Sequence, residues 1–296
     1  MRAASKHKKL RIHCGTHYHP FYSEDGRRDQ LRFFDYWLKD IDNGVMREPP
    51  VKLAIRTGHG AYHFRYENEW PIPRTQWTKL YLDLSKPDAE GGGTLAKAKP
   101  SVLARRSYPG GGASHAGHAS ASSTSLAAGG GGGLSFVTPP LEQDTEITGP
   151  LAAHLWVSST TEDMDLFLTL RNIDPDGNDV LEVGQQGQPV PVAKGWLRVS
   201  HRELDPELSL PYRPYHKHLR RQWLKPNDIV AVQVEVWPTS MVFRKGHRIR
   251  LDIQPRDGIG SAPYTHYHAD YNVGENTIYC GGDKESFLLV PIIPPR

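Results

Sequence analysis

Residues 230–236 read Val-Ala-Val-Gln-Val-Glu-Val, in which every second side chain is a valine. Successive side chains of a β-strand point to opposite faces of the sheet, so this stretch predicts a strand with its valines toward a core. The same alternation recurs along the chain, in residues 77–84, 151–157, 164–170 and 249–253, and residues 51–56 and 287–293 are predicted as further strands. Antiparallel sheets with one face packed on the core and the other exposed to solvent produce this pattern. Many such strands separated by Gly, Pro and Asp turns predict a mainly β chain, folded as a sandwich or barrel.

Composition narrows the class of protein. The chain has 296 residues, 38% of them hydrophobic, which is enough for a sizeable core. The formal net charge of +3 is small and evenly spread, so no nucleic-acid partner is expected. No run approaches the roughly 18 apolar residues of a membrane span, and no apolar signal segment follows Met1. Cys14 and Cys280 are too far apart to suggest a disulfide framework. These features predict a soluble, cytoplasmic protein with no membrane partner.

The N-terminal residues follow a different pattern. Leu10 and Ile12 indicate a short strand, and several histidines follow in a loop. Leu31, Phe34 and Leu38 lie at helical spacing and predict a helix over about residues 27–39, capped near Ser23 or Asp25 and ended by residues 42–44. Residues 1–44 therefore read as strand, loop and helix.

Residues 86–133 interrupt the strand pattern. They hold glycine runs at 91–93, 110–112 and 129–133 around a Ser/Ala/His tract. Such a composition buries too little apolar surface to offset the entropy cost of ordering. We predict a disordered insert between two strands of one domain.

Several blocks match a known family in the same order as they occur there: residues 144–150, 163–166, 172–177, 195–202, 238–240 and 243–251. They resemble the C-terminal non-catalytic domain of CocE/NonD (cocaine esterase-like) and X-Pro dipeptidyl-peptidase serine hydrolases. The resemblance implies that residues 49–296 form a jelly-roll β-sandwich of the galactose-binding-like kind. It also implies that residues 1–48 are the C-terminal remnant of an α/β-hydrolase domain.

The resemblance also points to a catalytic base. In these hydrolases the catalytic histidine follows the last strand of the sheet, and a helix follows the histidine. Here His17 holds that position, although His13-Cys14-Gly15-Thr16 replaces the usual Gly-Pro-Trp-Ser. That departure leaves open whether His17 or His19 is the family's histidine.

The other two members of a catalytic triad are not evident. In α/β-hydrolases the nucleophile and the acid precede the histidine, yet Ser5 is the sole serine before His17 and no Asp or Glu precedes it. Residues 112–117 superficially resemble a nucleophile elbow, but in the wrong chain order. We expect ester or X-Pro peptide hydrolysis only where a catalytic domain complements the chain, which is inactive alone. The alternative is a galactose-binding-like module that binds carbohydrate or a partner protein.

No metal or other cofactor is expected. The cluster His13, Cys14, His17 and His19 has no usual zinc spacing. Residues 174–179 resemble a calcium loop, but Gln185 occupies the position of its last glutamate, so a turn is the simpler interpretation. The histidine pairs at 216/218 and 266/268 are interpreted as surface or cleft residues. Residues 263–271, rich in aromatics and histidine, are predicted to pack against the catalytic domain, with a pocket wall as the alternative.

The N-terminal helix also raises an expectation about association. Its apolar side chains, with Trp37 among them, would pack on a parallel sheet in the parent fold. In this chain we expect the N-terminal strand to lack a sheet to join, and the exposed apolar surface to cause self-association.

Overall fold

The computed structural model describes residues 4–85, 92–110, 133–256 and 272–295. Among these residues the α-helices are α1 (His19–Tyr22) and α2 (Glu24–Lys39), which follow the first strand. Within the described ranges the strands are β1 (Leu10–Ile12), β2 (Val51–Gly58), β3 (Ala61–Glu67), β4 (Gln76–Asp83), β5 (Gly93–Ala96), β6 (Ala104–Pro109), β7 (Leu134–Val137), β8 (Thr145–Ser159), β9 (Asp165–Ile173), β10 (Glu182–Val183), β11 (Pro189–Val190), β12 (Ala193–Arg198), β13 (Val230–Phe243), β14 (Arg248–Gln254), β15 (Glu275–Cys280) and β16 (Phe287–Ile293). The prediction of a mainly β chain is confirmed. No helix of the described residues has the length and apolar character needed to cross a membrane.

The long strand β8 organises the sheet. One edge of β8 pairs with β13 along almost its whole length, and the other edge pairs with β16 and β15. From β13 the pairing continues through β12, β9, β14, β7, β5, β4 and β16 and so returns to β8. The strands thus enclose a single core.

Side chains that the alternation assigned to the core do lie there. The alternate valines of β13 at 232, 234 and 236 are buried against the inward leucines of β8 and β9 and the isoleucines of β14. In the β8–β13 ladder Leu151 lies opposite Val236, and both are fully buried. Burying each large apolar side chain contributes about 1.5–3 kcal/mol, so this shared face is the main source of stability.

Part of the predicted disordered insert is folded. Residues 92–110 contain β5, which lies between β4 and β7, and β6, which pairs with six residues of β15. Leu95 and Tyr108 of these strands are buried in the core, and Gly93 lies where a Cβ would approach Asp83 O to 2.6 Å. The prediction is therefore wrong for residues 92–110. Gly93 allows two strands to approach closely, and the apolar side chains of Leu95 and Tyr108 are buried. Residues 86–91 and 111–132 lie outside the described residues.

The first strand also differs from expectation. β1 pairs in parallel with β2, with Leu10 opposite Val51 and Ile12 opposite Leu53, so it does have a sheet to join. Both apolar side chains of β1 pack on a second, smaller core that includes Ile72. The expectation failed because strand pairing is a tertiary contact that a lone three-residue strand does not reveal.

The helix prediction is confirmed with an earlier start. α2 begins at Glu24, and the Gly26 N–H donates a hydrogen bond of 3.1 Å to the Ser23 side chain, which caps the helix. Asp40 ends it in the left-handed conformation, one residue after Lys39 in the last turn. The predicted loop before it contains the single turn α1, which has Pro20 in its first turn.

A network of buried charges joins β9 and β14. Asp252 accepts hydrogen bonds of 2.6 Å from both Arg171 Nε and Arg250 Nε, and 2.8 Å from the Ser135 hydroxyl. Arg171 also pairs with Asp179. Side chains of Arg171 and Asp252 are only 2% and 3% exposed, so each charge depends on its partners for stabilisation.

Candidate functional site

The site begins where β1 ends. Residues 13–18 lead from β1 into α1; His17 lies in this loop, and the second candidate base, His19, begins α1. The side chain of His17 is exposed, and its ring meets that of Tyr18 edge-on at a centroid distance of 4.5 Å. His19, also exposed, is the first residue of α1, and its carbonyl accepts the Ser23 N–H at 2.8 Å. Among the described residues no carboxylate forms an ion pair with either imidazole, so an acid that orients the base is not supplied here.

Arg56 and Glu182 both lie near Cys14 of this loop. Arg56 of β2 donates to the carbonyls of Ser240 at 3.1 Å and Val192 at 3.0 Å, and burial lowers its pKa. Burial raises the pKa of Glu182, and Arg56 opposes that shift. Cys14 is close enough to sense both charges, and burial raises the pKa of its thiol to about 11. The cysteine of this loop is therefore a neutral thiol near neutral pH.

A short hairpin that the sequence interpretation did not single out reaches the histidine loop. It consists of β10, a turn at residues 184–188, and β11, with Glu182 opposite Val190. The His17 N–H donates a hydrogen bond of 2.8 Å to the Gln185 carbonyl at the hairpin tip. The turn composition, Gly-Gln-Gln-Gly-Gln, could have revealed a turn but not its contact with residue 17.

Helix α2 places its charged side against the sheet. Asp25 pairs with Arg11 at 2.5 Å, and Asp29 pairs with Lys52 at 3.0 Å. The Lys52 ammonium also lies 4.4 Å from the centre of the Phe64 ring. Although burial raises the pKa of Asp25, Lys52 and Arg11 together hold it below its ordinary value. The inward contacts of this helix are therefore ionic.

The opposite side of α2 is apolar and faces solvent. We call Leu31, Phe34, Trp37 and Leu38 the apolar face; they are 57%, 52%, 40% and 75% exposed. A helix turns 100° per residue, which puts Leu31, Phe34 and Leu38 roughly opposite Asp25 and Asp29, with Trp37 to one side. This arrangement inverts that of an ordinary surface helix, whose apolar stripe faces the core. Around α1 the aromatic side chains of Tyr18, Phe21 and Tyr22 are exposed as well.

The residues considered as metal ligands are not gathered into a site. In the described part of the chain no three His, Cys, Asp or Glu side chains are arranged to hold a metal ion. In the loop that resembles a calcium site, Asp179 pairs with Arg171, and Asp174 accepts the Asn178 N–H at 2.8 Å as in an ordinary turn.

The remaining histidines and motifs have other surroundings. The ring of His216 contacts the Gln233 carbonyl at 2.9 Å, and His218 lies 3.1 Å from His201 between their Nδ1 atoms. The elbow-like residues 112–117, the histidines at 266 and 268 and the aromatic stretch 263–271 lie outside the described residues.

Comparison with known proteins decides the family. The family model for the X-Pro dipeptidyl-peptidase C-terminal non-catalytic domain matches residues 43–289. The chain belongs to this family. The match begins just after α2 and extends from β2 into β16.

Similar proteins include larger hydrolases. A CocE/NonD family hydrolase from Staphylococcus aureus has 31% sequence identity and a TM-score of 0.84, covering 99% of this chain and 50% of that one. The cocaine esterase of Rhodococcus sp. (strain MB1 Bresler) is 25% identical over 290 residues, or 88% of this chain and 45% of that protein. An aminopeptidase from the marine sediment archaeon Thaumarchaeota archaeon, at 17% identity and a TM-score of 0.62, shares the fold. The chain spans less than half the length of the curated relatives it matches.

Proposed function

We propose that this chain is the C-terminal portion of a serine hydrolase that cleaves esters or X-Pro peptide bonds, with His17 as the general base. The observation that carries the proposal is the placement of His17. His17, whose ring is exposed, follows the parallel strand β1 and precedes α1 and then α2, the helix that carries the apolar face. The family match and the likeness to the S. aureus hydrolase support the same assignment.

The division into two domains belongs to this proposal. Residues 1–48, which hold the parallel strand β1 and the helices, are the remnant of the α/β-hydrolase domain. Residues 49–296 form the non-catalytic domain, a jelly roll of the galactose-binding-like kind. The largely antiparallel pairing of β8 with β13, β15 and β16 supports the second assignment.

A partner follows from the apolar face. We propose that it docks against an α/β-hydrolase core that carries the nucleophilic serine and the orienting acid. The Leu10 N–H donates a hydrogen bond to the Pro50 carbonyl, on the edge of β1 that faces β2. Peptide groups of successive residues point to opposite edges of a strand, so those of Arg11 point to the edge of β1 away from β2. That edge and the apolar face are the surfaces on which a parallel sheet with covering helices would continue.

The chemistry of the assembled site would be acyl transfer. The serine hydroxyl attacks the carbonyl carbon of the substrate while its proton passes to the imidazole of His17. Collapse of the tetrahedral oxyanion breaks the ester or amide bond, and His17 returns the proton to the departing alcohol or amine. Water then attacks the acyl-enzyme by the same route and releases the acid. No cofactor is needed for these steps.

The cellular location is part of the same proposal. Both Cys14 and Cys280 are free thiols, as is usual in a reducing compartment, and we place the protein in the cytoplasm.

The carbohydrate-binding alternative has less support. The rings that such a module would offer are partly used within the fold, since Trp77 stacks on Tyr212 with centroids 4.3 Å apart.

Complementation tests the proposal. The 296-residue chain is co-expressed with the half of the S. aureus hydrolase that its match does not cover, and the complex is verified by size-exclusion chromatography. Hydrolysis of p-nitrophenyl acetate and of an X-Pro p-nitroanilide should require both polypeptides, and His17→Ala should lower kcat by at least about 10³-fold. His19→Ala is the matched control. A verified complex without turnover would refute the function, and loss of activity in His19→Ala alone would move the base to His19.

A further inference from the structure

The tip of the hairpin β10–β11 is hydrogen-bonded to the histidine loop. The His17 N–H donates to the Gln185 carbonyl at 2.8 Å. Next to it, the methyl group of Thr16 lies 4.0 Å from the point where a Cβ on Gly187 would be placed. The peptide plane between residues 16 and 17 is thus held by one hydrogen bond from the tip of this hairpin, and a side chain added at Gly187 would reach the methyl group of Thr16.

The hairpin is itself braced. Across its turn the Gly184 N–H donates to the Gln188 carbonyl at 2.7 Å, and the Gly187 N–H donates to the Gly184 carbonyl at 2.9 Å. At its base the His59 N–H donates to the Leu181 carbonyl at 3.1 Å, which ties it to the β2–β3 turn. Because the hairpin is held both across its turn and at its base, its tip has a fixed position relative to β2 and β3, and it can fix the histidine loop relative to the same strands.

We propose that the β10–β11 hairpin is the positioning element of the base, with Gln185 and Gly187 as its positioning residues. The assignment rests on the proposed role of His17. Side-chain direction follows from the backbone conformation of the same residue, so holding the His17 peptide plane sets where the imidazole points. A misplacement of about 1 Å in a catalytic group can cost about 10²-fold in rate. The non-catalytic domain thereby contributes to catalysis without touching substrate.

The variant Gly187→Val tests the assignment, and Gly177→Val is the matched control. The two glycines have almost the same left-handed φ, +84° and +87°, so valine strains both turns alike. Gly177 has nothing within 4 Å of its Cβ position, whereas a branched side chain at Gly187 would push on Thr16. Any difference between the variants therefore reports the contact with the histidine loop.

Two readouts are compared. In the chain alone, NMR hydrogen exchange should show the His17 amide protected, and Gly187→Val should accelerate its exchange at least about fivefold, the loss of one hydrogen bond. In the complemented complex Gly187→Val should lower kcat by about tenfold or more while KM stays unchanged, and its melting temperature should fall no further than that of Gly177→Val. Gly177→Val should alter neither exchange nor kcat.

The outcomes separate the two claims. A His17 amide that exchanges at the unprotected rate in the unmodified chain would overturn the assignment without any variant. Faster exchange with an unchanged kcat would overturn positioning and leave the proposed function intact. A complex of the unmodified chain without turnover would refute the proposed function and with it the assignment, although the exchange data would still report the contact.

Discussion

Placing charge on the apolar face tests whether this face is a docking surface. Leu31 and Leu38 are 57% and 75% exposed, so Leu31→Glu with Leu38→Glu removes little buried area, and the stability should change by less than about 0.5 kcal/mol. In an associated state the remaining area would be buried. Since a fully buried leucine contributes about 1.5–3 kcal/mol, these two fractions together amount to about 2–4 kcal/mol. The double variant should therefore weaken association by about 30-fold to 10³-fold.

Sedimentation velocity across a wide concentration range measures this in the chain alone, where we expect self-association through the same face. Thermal melting by circular dichroism gives the stability. Leu219→Glu is the matched control, because Leu219 is 83% exposed but lies in a loop far along the chain from α2. A monomeric unmodified chain would refute the expected self-association. A double variant with a lowered melting temperature would show that the two leucines support the fold rather than a contact with another molecule.

Three further predictions concern stability and thiol chemistry. Asp252→Asn removes the charge between two buried guanidinium groups and should cost about 3–5 kcal/mol in urea unfolding, whereas Asp144→Asn at the half-exposed pair of the same type should cost about 0–1 kcal/mol; equal costs would contradict the role of burial. Leu95→Ala should cost about 2–5 kcal/mol by calorimetry, and a cost well under that range would place β5 outside the core. Burial raises the thiol pKa of Cys14 to about 11 from 9.0. In a Cys280→Ser variant, alkylation of Cys14 at about pH 8 should therefore be about 100-fold slower than that of an unperturbed thiol, and it should accelerate about tenfold per pH unit. A rate like that of free cysteine would disprove the shift.

Strands were predictable where the period of two is long and apolar. β8, β9 and β14 follow the predicted alternation, and their inward side chains are those the pattern chose. β13 extends beyond its predicted end at Val236 as far as Phe243. The alternation of valines ends at Val236, and Pro238 cannot donate to a ladder. The structure passes that point with a register shift between Val236 and Thr239.

Strands that depend on their neighbours were missed. β6 carries two arginines and a single buried aromatic residue, Tyr108, and β5 has four residues beginning with a glycine. Neither segment has enough apolar side chains to stand out from the glycine-rich composition around it. Each is ordered by pairing with strands far away in the sequence, which a local pattern does not contain.

The candidate site was only partly predictable for a similar reason. His17 could be singled out because the family resemblance assigns a role to that position. Its contact with Gln185 joins a backbone N–H to a backbone carbonyl, so the residue types at both positions carry no information about it. The family and its β-rich domain were recognisable from sequence, but the hairpin that holds the histidine loop was not.

Helix α2 has its charged side against the sheet and its apolar face toward solvent, and this arrangement relates docking of a partner to the position of the catalytic base. Its inward ion pairs, such as Arg11 with Asp25, are partly exposed, and pairs of this kind contribute about 0–1 kcal/mol each. The exposed fractions of the four side chains of the apolar face amount to about two whole side chains, or about 3–6 kcal/mol once buried. A docked partner would therefore stabilise α2 more than the ion pairs with its own sheet do. Because only α1 separates α2 from the loop of His17, the contact that brings a nucleophile would also fix the far end of the segment that carries the base, while the β10–β11 hairpin holds its centre.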